Sequence, residues 1–441
     1  MSHKLQTVGI YTLGCKVNQY ESEAIAEGLL ARGFSVLPFS QSCDAYIINT
    51  CTVTAESDRK AKQFVRRAIK ANPAAYIVVA GCMAQVFPEK LAKIEGVDYI
   101  CGNEKKLQVI DAVTDLFAQG HKNASAKIAV SSLGDTFEEM QITHFDRTRA
   151  YIKIEDGCEN RCSYCIIPEA RGKVRSKAPE AVLQEVRTLT DSGCREIVLT
   201  GIETASYGRD LDGYRLADLL EAVDAIPGIG RIRLGSLDPS LMKPEFVERI
   251  ARLKCLTPHF HLSMQSGSDK ILALMKRKYN QQMALAGMER LRTAIPGVQF
   301  TTDIIVGFPG ETEEDFALTV DFAKKAKFLM IHVFPYSERR GTVAATLPGR
   351  VPEEIRHKRV RDLSTVQAEI QAEILDSYTN TVVDVLFETY ANGYAIGHTD
   401  TFVEVSCPAP HSLQANIGRV FITGNDGKKC LGTLCPKNIT P

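Results

Sequence analysis

Gly157-Cys158-Glu159-Asn160-Arg161-Cys162-Ser163-Tyr164-Cys165-Ile166-Ile167-Pro168 holds three thiols at Cys-x3-Cys-x2-Cys spacing. A structural zinc site takes four ligands and usually draws them as Cys-x2-Cys pairs, whereas this turn offers three and is too tight to admit a fourth. Three thiolates suit an iron–sulfur cube with one iron left open. A zinc knuckle or a group of buried free thiols is the competing reading, and both the ligand type and the ligand count weigh against it.

With Tyr164 just before the last cysteine, the spacing resembles the radical S-adenosylmethionine (SAM) enzymes. That resemblance implies an open iron that chelates the amino and carboxylate groups of SAM. The surrounding pattern agrees. Strand-like runs at 150–154, which delivers Cys158, and at 196–200, 231–234, 259–264, 300–306 and 329–334 alternate with helical segments. Six repeats fall short of an eight-fold barrel, so a partial (β/α)6 barrel of the radical SAM form fits the count. In parallel barrels the chemistry sits at the C-terminal ends of strands. The second strand ends in Gly201, which lets the backbone approach a ligand, and Glu203, which can meet a cationic group. The fourth ends in Ser263 and Gln265, polar donors for an amino acid or ribose. The fifth ends in Ile304 and Val306, an apolar shelf for adenine, and Tyr164 is a candidate to pack on the same ring. Taken singly, each of these is equally a turn glycine or a helix cap. Together they match the family's blocks, which implies that they contact SAM.

At 441 residues the chain is too long for one ordinary core, so two or three domains are expected. A formal net charge of +0 predicts no global field for nucleic acid, so any such partner is held by local basic patches. Thirteen cysteines in a chain of this size do not look like a small secreted disulfide scaffold. The opening Met-Ser-His-Lys has no signal-peptide core behind it, and no apolar run approaches the ~18 residues a membrane span needs. The expectation is a cytoplasmic protein with reduced thiols and no membrane partner.

Residues 1–120 alternate short apolar runs at 8–13, 46–48, 76–80 and 99–100 with helical patterns at 21–32 and 56–70, the signature of an open α/β sheet. Three of these strands run into a cysteine: Cys15, Cys51 and Cys82. The carboxyl ends of such strands lie along one edge, where ligands bind, so a second three-thiolate site can form there. Cysteine is also a common small buried hydrophobe, and on spacing alone packing thiols remain an open alternative. Cys101, at another strand end, can supply a fourth ligand. Cys43 precedes its strand and reads as a bystander.

Thr12-Leu13-Gly14-Cys15-Lys16-Val17-Asn18-Gln19-Tyr20-Glu21-Ser22 resembles the opening of the methylthiotransferase family. Asn49-Thr50-Cys51-Thr52-Val53-Thr54 and Gly81-Cys82-Met83-Ala84-Gln85 resemble its next two blocks. The resemblance implies two 4Fe–4S clusters, an auxiliary one on Cys15, Cys51 and Cys82 and the radical SAM one on Cys158, Cys162 and Cys165, with Cys101 outside the motif. It implies that the second cluster cleaves SAM reductively to methionine and a 5′-deoxyadenosyl radical. The auxiliary cluster then carries a sulfur that a second SAM methylates. The runs 14–22 and 334–342 look most like the members that act on threonylcarbamoyl-adenosine. This implies methylthiolation at C2 of that base at tRNA position 37, beside the anticodon. Isopentenyl-adenosine in tRNA and an aspartate of a ribosomal protein are the alternatives within the family, and a non-catalytic metal-binding RNA-binding protein is the alternative outside it. Implied partners are tRNA, a reducing protein such as a flavodoxin or ferredoxin, and a sulfur source. Glu169, where relatives often carry an aromatic, and Cys101 are the departures.

Residues 121–147 carry few apolar anchors and read as a linker, and 148–377 hold the partial barrel with its trailing helix at 352–377. Alternation at 382–390, 402–406 and 419–422 then predicts a small β-barrel over 378–441. It resembles the TRAM domain, an RNA-binding barrel common in tRNA methylthiotransferases. Its charge is nearly balanced: Asp384, Glu388, Asp400, Glu404 and Asp426 against Arg419, Lys428, Lys429 and Lys437. Basic runs such as 356–361 are ordinarily solvated helix faces. Arg171, Lys173, Arg175 and Lys177 follow the cysteine loop at the barrel mouth, where phosphate contacts position a nucleic acid without reading its sequence. Cys407, Cys430 and Cys435 have no metal-ligand spacing to one another and read as incidental thiols.

Overall fold

The computed structural model describes residues 6–145 and 147–439; residues 1–5, 146, 440 and 441, which the domain readings span, lie outside the described residues. The chain divides into two compact units. One comprises Met1–Ile142, Lys153–Lys177 and Ser337–Ala345, the other Thr143–Ile152, Ala178–Tyr336 and Thr346–Pro441.

The first unit is built on six strands: β1 (Thr7–Thr12), β2 (Ser35–Pro38), β3 (Ala45–Thr50), β4 (Tyr76–Gly81), β5 (Tyr99–Cys101) and β6 (Lys127–Ala129). They pair in parallel in the order β2-β1-β3-β4-β5-β6. A parallel sheet covered on both faces buries its strands throughout, and β3 and β4 are buried along their whole length, the polar Asn49 and Thr50 at the end of β3 being hydrogen-bonded. Helix α1 (Lys16–Ala31) seals one face through Ile25 and Leu29 over Val8, Ile47 and Val78. Helix α2 (Ala55–Ala71) seals the other through Ala61 and Val65 over Ile48 and Ile77. Its start is capped by Thr54, whose hydroxyl accepts from the Ser57 N–H.

Strand β6 lies inside the 121–147 stretch read as a linker, and the correction has a simple cause. It is a three-residue edge strand, largely exposed, with no apolar run to announce it. Asp98 secures the neighbouring loop by accepting from Asn123 N–H and pairing with Lys122 at 3.0 Å.

The chain then enters β7 (Ala150–Lys153), and the short antiparallel pair β8 (Glu155–Asp156) and β9 (Arg175–Ser176) encloses the cysteine stretch. In the second unit β10 (Glu196–Thr200) and β11 (Arg231–Leu234) join β7 in the order β11-β10-β7. Strands β12 (His259–Gln265), β13 (Gln299–Val306) and β14 (Met330–Pro335) form a second parallel sheet. A bridge between Leu237 and Leu262 connects the two, which completes the six-stranded partial barrel. After the helix Glu353–Asp376 come β15 (Val382–Ala391), β16 (Tyr394–Thr399), β17 (Glu404–Pro408), β18 (Ile417–Asn425) and β19 (Cys430–Ile439), closed in the order β15-β16-β17-β19-β18. Strands β16 and β19 are additions to the three read from alternation.

Within this unit the two barrels are joined by buried charge. Glu196 is fully buried and pairs with Arg149 at 2.8 Å and Arg233 at 2.9 Å. Arg149 also reaches Glu388 on β15 at 2.6 Å, and Arg231 and Arg233 donate to the carbonyls of Asp384 and Asp400. Burial alone would raise the Glu196 pKa, but Arg233 and Arg149 outweigh it and bring it down to about 2. Phe402, at φ 70°, is sandwiched between His259 and His398 with ring centroids 4.7 Å away on each side.

Candidate metal centre

Strands β1, β3 and β4 are immediate neighbours, so their C-terminal ends stand side by side, and the strand order reverses between β1 and β3. Ligands in open α/β sheets bind at such a reversal. Cys15 caps α1 just beyond β1, Cys51 follows β3, and Cys82 opens helix α3 (Cys82–Val86) directly after β4. Side chains stitch the three turns together. The Asn18 amide donates to Leu13 O at 2.7 Å and to Thr50 O at 3.0 Å. The Thr50 hydroxyl donates to Ala80 O at 2.6 Å and accepts from Met83 N–H at 3.2 Å. Gly14, at φ +97°, permits the close approach: a Cβ there would lie 2.7 Å from Cys51 Cβ and 2.9 Å from its sulfur.

Burial, and then the neighbouring Cys82 and Cys15 sulfurs, push the Cys51 thiol up to about 12. Desolvation by the surrounding protein raises the Cys15 thiol as well, and a bound cationic group would favour the thiolates at these positions, because a metal takes thiolates rather than thiols. The donor set therefore fits an iron–sulfur cluster. Among the described residues, no group of three or more His, Cys, Asp or Glu side chains is spaced to hold a single metal ion. Cys101 stands apart from the three: its thiol donates toward Gly102 O and Lys105 O and accepts from Gln108 at 3.2 Å.

Cys158, Cys162 and Cys165 are all half-buried on one loop in the same unit. Cys158 N–H donates to Gly172 O at 3.0 Å, Cys165 N–H to Cys162 O at 3.1 Å, and Ile167 N–H to the Cys165 sulfur at 3.4 Å. Gly157, at φ +88°, lets the loop leave the β8–β9 pair; a Cβ there would sit 1.8 Å from Lys173 O. Ala344 N–H donates to Ser163 O at 2.7 Å, so residues Ser337–Ala345 brace the loop.

The basic run after the loop corrects an expectation. Arg171, Arg175 and Lys177 are buried, and none of them can meet a phosphate at the surface. Arg171 donates to Glu21 at 2.5 Å, Asp156 at 3.1 Å and Asn18 at 2.5 Å. Arg175 pairs with Glu104 at 3.3 Å, and Lys177 donates to Met140 O at 2.6 Å. Only Lys173 is exposed, beside Asp135 at 3.1 Å. Glu21 is the centre of this network, gripped also by Lys106 and by Lys153 at 2.9 Å. Burial would raise its pKa, but Arg171, Lys106 and Lys153 hold it well below the usual carboxylate range.

Tyr164 is half-buried in the first unit, and the other expected SAM contacts belong to the second. Gly201, Glu203, Ser263 and Gln265 are half-buried at strand ends, and Gln265 closes β12 at φ 64° beside a bulge. Ile304 and Val306 do not form the expected shelf. Alternation along β13 puts both on the fully buried face with Thr302, whereas Asp303 and Ile305 share the accessible face with His261, which lies 3.3 Å from Asp303.

Residues that received no separate role from the sequence alone complete the site. Asn18 and Glu21 follow Cys15 at three-residue steps, which put them on one helix face, a signal that was available. Arg339 is buried and donates to Thr52 at 2.6 Å and Asp58 at 2.8 Å, holding the turn that carries Cys51.

The radical SAM superfamily model matches residues 152–323, and that of uncharacterized protein family UPF0004 matches residues 7–102. The chain is 39% identical over 427 residues to threonylcarbamoyladenosine tRNA methylthiotransferase MtaB of Bacillus subtilis, covering 95% of this chain and 94% of that one. Its Thermotoga maritima counterpart is 38% identical, with 91% of each chain covered. The tRNA-2-methylthio-N(6)-dimethylallyladenosine synthase of Moorella thermoacetica is 36% identical, covering 95% and 96%. Among solved structures, the radical SAM methyltransferase TsrM from Kitasatospora setae superposes with a TM-score of 0.56 at 16% identity, over 78% of this chain and 77% of that one, a likeness of fold.

Proposed function

The chain belongs to the radical SAM methylthiotransferase family, and on that premise we propose that it adds a methylthio group to C2 of N6-threonylcarbamoyladenosine at position 37 of tRNA. The observation that carries the reading is similarity at 36–39% identity, over most of the chain, to five threonylcarbamoyladenosine tRNA methylthiotransferases. Methylthiolation of dimethylallyl-adenosine is the second reading, favoured by the 36% identity to the Moorella thermoacetica synthase.

On this reading Cys158, Cys162 and Cys165 hold one 4Fe–4S cluster, and Cys15, Cys51 and Cys82 hold the other. Bound there, the clusters and SAM supply the electron, the carbon radical, the sulfur and the methyl group, chemistry that side chains cannot perform. The chain's own work is placement and exclusion of water. Asn18, Thr50 and Arg339 fix the three thiol turns, and the buried Glu21 network closes the space behind them. Gly201, Glu203, Ser263 and Gln265 orient SAM, and Lys173 offers a cation to tRNA phosphates. Residues 1–120 and 148–377 carry the chemistry, 121–147 add the edge strand β6 to the first sheet before the chain continues, and 378–441 grip RNA. The electron comes from a reducing protein such as a flavodoxin or ferredoxin, the sulfur from a separate source, and the setting is the cytoplasm. No described helix is long and apolar enough to cross a membrane.

Mass spectrometry of tRNA nucleosides from cells with and without this gene tests the reading. The expected result is a gene-dependent 2-methylthio derivative of threonylcarbamoyl-adenosine. A gene-dependent derivative of isopentenyl-adenosine would move the assignment to the second reading, and no gene-dependent methylthio nucleoside would remove tRNA as the substrate.

A further inference from the structure

We propose that Arg171 is a positioning residue that ties the two cysteine sets together and sets the reduction potential of the cluster on Cys82. The inference rests on the reading that Cys15, Cys51 and Cys82 hold an auxiliary cluster. Arg171 is six residues beyond Cys165 and closes the short helix Ile167–Arg171 that leaves the cysteine loop. Its side chain is fully buried, and every N–H of its guanidinium is engaged. One terminal nitrogen meets Glu21 and Asp156, and the other meets Asn18 and Glu21. The remaining donor, Nε, points at the Cys82 sulfur at 3.4 Å.

The carboxylates do not need that last donor, because Glu21 is also held by Lys106 and Lys153, and Asp156 by Lys153 at 2.6 Å. A planar fork clamped on four sides cannot turn, so the Nε–H bond is aimed at sulfur. Asn103 adds a second donor to the same sulfur at 3.6 Å, and is itself anchored on Ala170 O at 2.8 Å, one residue before Arg171. Hydrogen bonds to cluster sulfurs, strongest from a charged donor, stabilise the more negative, reduced cluster and raise its potential. Because Arg171 sits on the backbone that leaves one cysteine loop and touches a sulfur of the other set, a displacement of either set is felt by both.

The test uses the full-length chain carrying Cys158→Ala, Cys162→Ala and Cys165→Ala, reconstituted anaerobically with iron and sulfide so that one cluster remains. In a redox titration followed by electron paramagnetic resonance, Arg171→Gln is expected to shift the midpoint to more negative potential, Arg171→Lys to shift it less, and Asn103→Ala to add a smaller shift of the same sign. Unchanged midpoints in Arg171→Gln and Arg171→Lys proteins of unaltered circular dichroism would overturn the proposal. A second measurement needs no substitution at Arg171. With arginine labelled by 15N, the reduced cluster is expected to show a nitrogen hyperfine coupling, and its absence would overturn the proposal even if no variant folds. A protein with three cysteines replaced that binds no iron would remove the auxiliary site itself, and the inference with it; iron content separates that failure from the others.

Discussion

Cys82 concentrates the site's chemistry in one side chain: it is buried, opens a helix after β4, and receives donors from Arg171 and Asn103. Cys82→Ala is expected to keep reductive SAM cleavage, read as 5′-deoxyadenosine formed under dithionite, while losing methylthiolated nucleoside and about half its iron, since one of two like clusters goes. Unchanged product would sink the second cysteine site. Glu196 governs a different property. Its folded pKa of about 2 lies below the unfolded value of about 4.3, so its stabilisation is complete above that value and is lost as pH falls through 2. The shift corresponds to about 3 kcal/mol. Glu196→Gln should destabilise the neutral protein by roughly 3–5 kcal/mol, leaving Arg233 without its carboxylate and Arg149 with Glu388 alone, and its deficit against wild type should shrink between pH 4.3 and 2 in denaturant titrations. At this scale the cysteines were legible in the sequence because ligand chemistry restricts residue type and spacing. The basic run 171–177 was not, since a buried arginine paired with a distant glutamate reads the same as one facing solvent until Glu21 is placed beside it.

Turns and strand ends carry the next level of the argument. A Cβ on Gly157 would sit 1.8 Å from Lys173 O, so Gly157→Ala must open the β8–β9 pair. The expected result is a loss of at least about 2 kcal/mol in unfolding free energy. Iron bound at Cys158, Cys162 and Cys165 should fall with it, measured by metal analysis in a background lacking Cys15, Cys51 and Cys82. Elements with an apolar run, β3 and β4 above all, are readable because burial on both faces keeps polar residues to the C-terminal end, Asn49 and Thr50 in β3. Strands β2 and β6 lie at the sheet edges and are short, and β16 begins straight after a two-residue turn at Asn392-Gly393. Such elements form because neighbours offer hydrogen bonds, a cause that lies outside their own residues. The misplacement of Ile304 and Val306 is of another kind, because the period of two along β13 already separated them from Asp303 and Ile305.

Across the molecule, the second unit binds its closed barrel to its partial barrel through Phe402, His259, His398 and the Arg149–Glu388 pair. Phe402→Ala removes two ring stacks, about 2 kcal/mol together. It should increase hydrogen exchange in β15–β19 and lower methylthiolation of tRNA while leaving SAM cleavage intact; equal loss of both activities would show that the closed barrel serves general folding instead. In the first unit the three thiol-bearing turns are held by Asn18 and Thr50 through ordinary hydrogen bonds. In zinc fingers, by contrast, metal binding supplies roughly 10–16 kcal/mol of folding free energy, and a chelator unfolds the domain. Here a chelator should strip iron and lower the denaturation midpoint of the first unit by the binding contribution, while the unit stays folded. If iron can be removed while the unit stays folded, the three turns act as a socket that can be emptied and refilled without passing through the unfolded chain.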